Sequence, residues 1–165
     1  MKVLFLDIDG VLNGHEKHPD SPYTTIRPDC VRRLNRVIKA TDCKIVISSA
    51  WRYMVLRTRK NEPATMTLLG FQYLLHTHGL MTHSDTDWSK IIVGHTCPDE
   101  DIPERSRQIL NWVASRMSHS DQWAAVDDMD FRDELGRHAG RLVVTDATRG
   151  LRDKDARRLS QLLGK

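Results

Sequence analysis

Val3-Leu4-Phe5-Leu6-Asp7-Ile8-Asp9-Gly10-Val11-Leu12-Asn13 begins with four consecutive apolar residues and then turns abruptly acidic and small. Unbroken hydrophobicity over so short a run is the pattern of a strand buried on both faces, as in a parallel sheet. Three further runs repeat it, Ile45 to Ile47, Trp123 to Val126 and Leu142 to Val144, and Ile91 to Val93 is a weaker fifth. The stretches between them read as helices. From Pro28 to Ile38, Val31, Leu34, Val37 and Ile38 share one face while the arginines take the other, and Pro28 suits a first helical turn. Thr67 to His78, Pro103 to Met117 and Asp153 to Leu163 show comparable spacing. Strands alternating with helices predict right-handed crossovers and an α/β fold, a doubly wound, mostly parallel five-stranded sheet.

Composition narrows the class. The chain has 165 residues, 39% of them hydrophobic, which suits a single domain over 1–165. Charged residues make up 28%, mean hydropathy is −0.49, and no stretch approaches the ~20 apolar residues of a membrane span. The first apolar run is too short for a signal peptide, and Cys30, Cys43 and Cys97 share no CxxC spacing. Reduced thiols in a cytoplasmic protein are the expectation. A formal net charge of +3 is compatible with a phosphate-rich partner but far from a dedicated nucleic-acid binder.

Ligands of open α/β sheets bind beyond the carboxyl ends of the strands. There the sequence places Asp7 and Asp9 after the first strand, Ser48, Ser49 and Arg52 after the second, and Asp127 and Asp128 after the one from Trp123. So many carboxylates at one edge require a neutralising cation, and an all-oxygen donor set favours Mg²⁺. Asp7 and Asp9 are two apart, so both can point to one side of an extended chain end, and Gly10 permits a tight turn just beyond.

Asp7-Ile8-Asp9-Gly10-Val11-Leu12 resembles the first motif, DxDG(V/T)(L/V), of the haloacid dehalogenase (HAD) superfamily. Ser48 after Ile45-Val46-Ile47 matches its second motif, and Asp127-Asp128 after Ala124-Ala125-Val126 its acidic fourth, in the same order along the chain. The resemblance extends from Met1 to about Leu151. It implies a Mg²⁺-dependent phosphatase acting through an aspartyl-phosphate. Asp7 is then the nucleophile, Asp9 the general acid and base, Ser48 and Ser49 phosphate-binding residues, and Asp7, Asp9, Asp127 and Asp128 the metal-binding set. The basic third-motif residue, a charged clamp on the phosphate, is Arg105, with Arg107 as the alternative on the same helix. Arg52 either holds a substrate phosphate or packs on Trp51, and Thr145 and Asp146 either border the site or form a simple turn.

Caps that govern substrate choice in this superfamily have little room here. Residues 13–27 are too few for a folded domain, and Tyr53 to Glu104 must also supply core elements, so at most a small insertion remains. An open site admits large substrates. Ile45 to Arg52, followed by Leu142 to Leu151, looks like the compact HAD domains of bacteria, phages and multidomain RNA-repair proteins, which implies removal of phosphate from RNA or DNA ends. Nucleotides or other small phosphate esters are the alternative substrates. A non-catalytic phosphate-binding module and a phosphotransferase are alternatives of a different class, disfavoured by the paired Asp7 and Asp9 and by the small cap.

Overall fold

The computed structural model describes residues 1–14, 26–51, 75, 77, 91–96 and 104–164. Arg52, Cys97 and most of the helix expected from Thr67 to His78 lie outside the described residues. Five strands form one sheet: β1 (Lys2–Leu6), β2 (Lys44–Ile47), β3 (Ile92–His95), β4 (Gln122–Asp127) and β5 (Leu142–Val144). All neighbours are parallel, in the order β3-β2-β1-β4-β5. The doubly wound sheet expected from the apolar runs is therefore present, the weak fifth run included.

Alternate residues of each strand feed two apolar layers, which is why the runs carry no polar alternation. Leu4, Leu6, Ile45, Ile47, Ala124 and Val126 face one side. They pack there against α1 (Pro28–Thr41) and the C-terminal helix α4 (Asp153–Leu163). Val3, Phe5, Val46, Trp123 and Ala125 face the other, covered by α2 (Arg105–Arg116) and the single turn α3 (Arg132–Leu135). Phe5 anchors this second layer, edge-on to Trp112 at 5.4 Å and to Trp123 at 5.8 Å between ring centroids.

Local chemistry sets the helix limits. Pro28 occupies the first turn of α1, and Asp42, left-handed with φ 53°, ends it. The sequence pattern did not indicate α3 or the 3₁₀ turn Gly136–Arg141 that follows. Both are too short to show a periodicity, and Gly136 at φ 53° ends α3 and begins the 3₁₀ turn.

The topology fixes where a ligand belongs. Chain order runs outward from β1 through β2 to β3 on one side, then crosses back to β4 and β5 on the other. The crevice where the order reverses therefore lies between the ends of β1 and β4. Residues 7–27 separate β1 from α1 and residues 48–91 separate β2 from β3.

Phe5→Ala should lower unfolding free energy by about 3–5 kcal/mol in urea denaturation, from lost burial and the cavity left between two tryptophans. Met129→Ala, at an exposed position, should stay within about 0.5 kcal/mol of the parent.

Candidate active site

Strand register assembles the site. Leu6 pairs with Ile47 on one side and Val126 on the other, so Asp7, Ser48 and Asp127 emerge at one level as the next residues. The ladder continues into them, with the Asp7 N–H donating to Val126 O at 3.0 Å and the Ser48 N–H to Leu6 O at 2.9 Å. Asp7 and Asp127 therefore flank the crevice, and both are buried.

Beyond Asp7 the chain folds back on itself. The Leu12 N–H donates to Ile8 O at 2.8 Å, and the buried side chain of Asn13 accepts from the Gly10 N–H at 2.9 Å. Gly10 has φ +67°, and a Cβ there would lie 2.6 Å from both Cβ and Oδ2 of Asp128. Glycine is thus required twice, for the backbone conformation and for the approach of the β4 loop. The Thr145 hydroxyl donates to Gly10 O at 2.8 Å, and the Thr145 N–H donates to Asp127 O at 2.9 Å, so the end of β5 ties the first loop to the fourth strand.

Arg105, the first residue of α2, bridges the two buried acids. Its Nη1 lies 3.1 Å from Asp7 Oδ2 and 2.5 Å from Asp127 Oδ2. Helix phase separates it from Arg107, whose side chain is 69% exposed and sits 4.0 Å from Glu104. Ser106 donates to Glu134 at 2.7 Å and so ties the start of α2 to α3.

One guanidinium does not balance the acids. Burial raises the Asp7 carboxyl above its ordinary range, against the opposing pull of Arg105 and a hydrogen bond from Ser49. Burial and the neighbouring Asp7 push Asp127 up to about 7. Despite its own burial, Arg105 is held more firmly protonated by Asp7 and Asp127. Carboxylate oxygens of Asp7, Asp127 and Asp128 all lie within 4.8 Å of one another. An oxygen-only cluster that takes up a proton for want of positive charge fits a hard divalent cation.

Asp9 is placed differently. Its carboxylate accepts from Asn13 Nδ2 at 2.8 Å and from Trp51 Nε1 at 2.9 Å, and it is not among the three clustered acids. Asn13 and Trp51 did not stand out as site residues in the sequence; an asparagine four residues after Asp9 was the available signal, and the structure shows it fully buried. Ser48 and Ser49 are buried at the tip of β2, with Ser49 Oγ accepting from the Trp51 N–H at 3.2 Å. Asp146 caps a turn, accepting from the N–H of Thr148 at 3.0 Å and from its hydroxyl at 2.7 Å.

With this geometry in place, the match of residues 3–156 to the family described as the HAD domain in Swiss Army Knife RNA repair proteins is decisive. The chain belongs to that family. No curated protein and no solved structure gives a match. Family membership and the Asp7, Asp127 and Asp128 cluster together make this HAD domain a HAD-type phosphatase, with the aspartyl-phosphate hydrolase chemistry of the superfamily. No helix among the described residues is long and apolar enough to cross a membrane.

The raised carboxyl of Asp127 has a signed consequence for the metal-free HAD domain. The unfolded chain releases this proton near 3.8 and the folded state near 7, so its contribution to stability is complete below about 4 and is lost as pH rises to 7. Thermal unfolding in chelator should therefore show stability falling across that window, and Asp127→Asn should flatten the fall.

Proposed function

We propose that the protein is a Mg²⁺-dependent phosphomonoesterase that removes the terminal phosphate of a polynucleotide through an aspartyl-phosphate at Asp7. The observation that carries this reading is the Asp7, Asp127 and Asp128 cluster with Arg105 bridging its two buried members. The RNA-repair setting named in the family description supports the polynucleotide end as substrate, and the small cap supports an open site.

In this reading Asp7, Asp127 and Asp128 would hold Mg²⁺, which would supply positive charge to offset that of the carboxylates and of a phosphate. A carboxylate oxygen of Asp7 attacks phosphorus in line, forming the Asp7 O–P bond as the P–O bond to the nucleic acid breaks. Asp9 protonates the departing oxygen, then removes a proton from the water that hydrolyses the aspartyl-phosphate and restores Asp7. The hydrogen bonds from Asn13 and Trp51 support this role by fixing the Asp9 carboxylate beside the cluster rather than within it. Ser48 and Arg52 are assigned to the transferring phosphate, Ser49 orients Asp7, and Arg105 keeps Asp7 ionised and in place. The buried free thiols of Cys30 and Cys43 support a reducing, cytoplasmic setting.

Rates on 3′-phosphorylated and 5′-phosphorylated oligonucleotides, mononucleotides and an aryl phosphate, each with Mg²⁺ and with chelator, test the proposal. Oligonucleotides should be preferred, chelator should abolish turnover, and Asp7→Asn should lower it by at least about 10³-fold with the fold intact. Preference for mononucleotides would overturn the substrate, and chelator-resistant turnover would overturn the metal. Arg105→Met should also lose most activity, whereas Arg107→Met should retain it.

A further inference from the structure

Positive charge is concentrated on the α1 and α4 layer. Residues 26–41 and 146–164 carry ten basic and four acidic side chains, an excess of six in a chain whose formal net charge is +3. The remainder is therefore net acidic. Arg32, Arg33, Arg36 and Lys39 line a surface groove of about 460 Å³ together with Asn35 and the acids Asp29 and Asp153. Arg33 and Arg36 share Asp153, and Arg33 also pairs with Asp29 at 2.5 Å. Arg32 and Lys39 have no carboxylate partner among the described residues. Arg32, Arg36 and Lys39 follow i, i+4, i+7 spacing, an exposed stripe roughly 10 Å long at the ~1.5 Å rise of a helix.

This face is continuous with the loops around the catalytic crevice. The Arg27 N–H donates to Leu12 O at 2.8 Å, within the turn that carries Asp9 and Gly10. Its guanidinium reaches the carbonyl oxygens of Thr148 and Arg149, at 3.5 and 3.4 Å, in the loop that follows β5. Gly150 closes the junction, since a Cβ there would lie 2.8 Å from Val11 O. From this junction α1 carries the basic stripe away from the site.

We propose that the α1 face, through Arg32, Arg36 and Lys39, binds the sugar-phosphate backbone of a single-stranded polynucleotide whose terminal phosphate occupies the crevice. The inference rests on the polynucleotide-end reading above and adds the surface that holds the body of the strand. A row of cations beside a phosphate-processing site supplies sequence-independent affinity for the phosphates that follow the end. An anionic membrane is a poorer fit. The exposed large hydrophobic residues among those described are Met1, Val93 and Met129, none of them on α1 or α4, so the face has no apolar anchor for a bilayer.

The test compares the parent with Arg32→Ala/Arg36→Ala/Lys39→Ala and with Lys2→Ala/Lys44→Ala/Arg137→Ala, a charge-matched control away from this face. Substrates are a phosphorylated single-stranded 12-mer and an aryl phosphate at several salt concentrations, and fluorescence anisotropy reports binding of the same 12-mer without its phosphate. The α1 variant should raise KM for the 12-mer about tenfold at low salt, and its log Kd against log salt should be shallower by about 2, from three lost contacts at about 0.7 each. Its kcat/KM on aryl phosphate should equal the parent's, and the control should match the parent throughout. Unchanged KM and salt slope in the α1 variant would overturn the surface and leave the end-phosphatase reading standing. Parent enzyme that hydrolyses aryl phosphate but no phosphorylated 12-mer would overturn that reading itself. Binding to phosphatidylserine vesicles without binding to the 12-mer would overturn the choice of partner.

Discussion

Two carboxyl groups are buried side by side at the crevice of a parallel sheet, and the rest of the site is arranged around them. Asp7 and Asp127 end adjacent strands at the same level, where withdrawal from water and mutual repulsion both oppose ionisation. Arg105 answers only part of that, and the oxygen-only donor set with Asp128 leaves room for a divalent cation. The arrangement is expensive for folding and useful for chemistry. A site short of positive charge attracts a metal ion, and the metal and guanidinium together can receive a phosphate dianion beside a carboxylate nucleophile.

Holding those acids in register requires close packing of loops that are distant in sequence. Gly10 admits Asp128 to its vicinity, Thr145 bonds both Gly10 and Asp127, and Gly150 lies against Val11 and Cys30. The contacts of Gly10 with Asp128 and Thr145, and of Val11 with Gly150, join the loop after β1 to segments more than a hundred residues later. The ends of β1, β4 and β5 therefore behave as one packed unit. Asp9 belongs to the same unit through Asn13, and Trp51 connects it to the tip of β2.

The two faces of the sheet are used unequally. The layer of α2, α3 and the aromatic cluster around Phe5 supplies Arg105 and the packing that fixes it. The segments of α1 and α4 carry an excess of six positive charges, twice the net charge of the chain, over an apolar inner surface built from Leu34, Val37, Leu159 and their neighbours. A near-neutral total thus conceals an acidic crevice next to a basic flank, a distribution suited to a ligand with one phosphate at its tip and more along its length.

The five strands, the α/β class and the main acidic motif were legible because both-face burial must be written locally as an uninterrupted apolar run, and because a loop at a strand end needs its own turn residues. Helix phase was less legible. Arg105 and Arg107 are two residues apart on one amphipathic pattern, and their roles separate only when α2 docks on the sheet and turns one toward Asp7 and the other toward solvent. Likewise Asp7 and Asp9 stand alike at one strand end in the sequence, yet the fold puts one among carboxylates and the other between Asn13 and Trp51. The sequence by itself determined which residues reach the strand ends, since hydrophobic periodicity is a short-range property. Only the tertiary structure decided which charges meet there, because those contacts, from Arg105 to Asp7 or Thr145 to Gly10, join segments that only the packed sheet brings together.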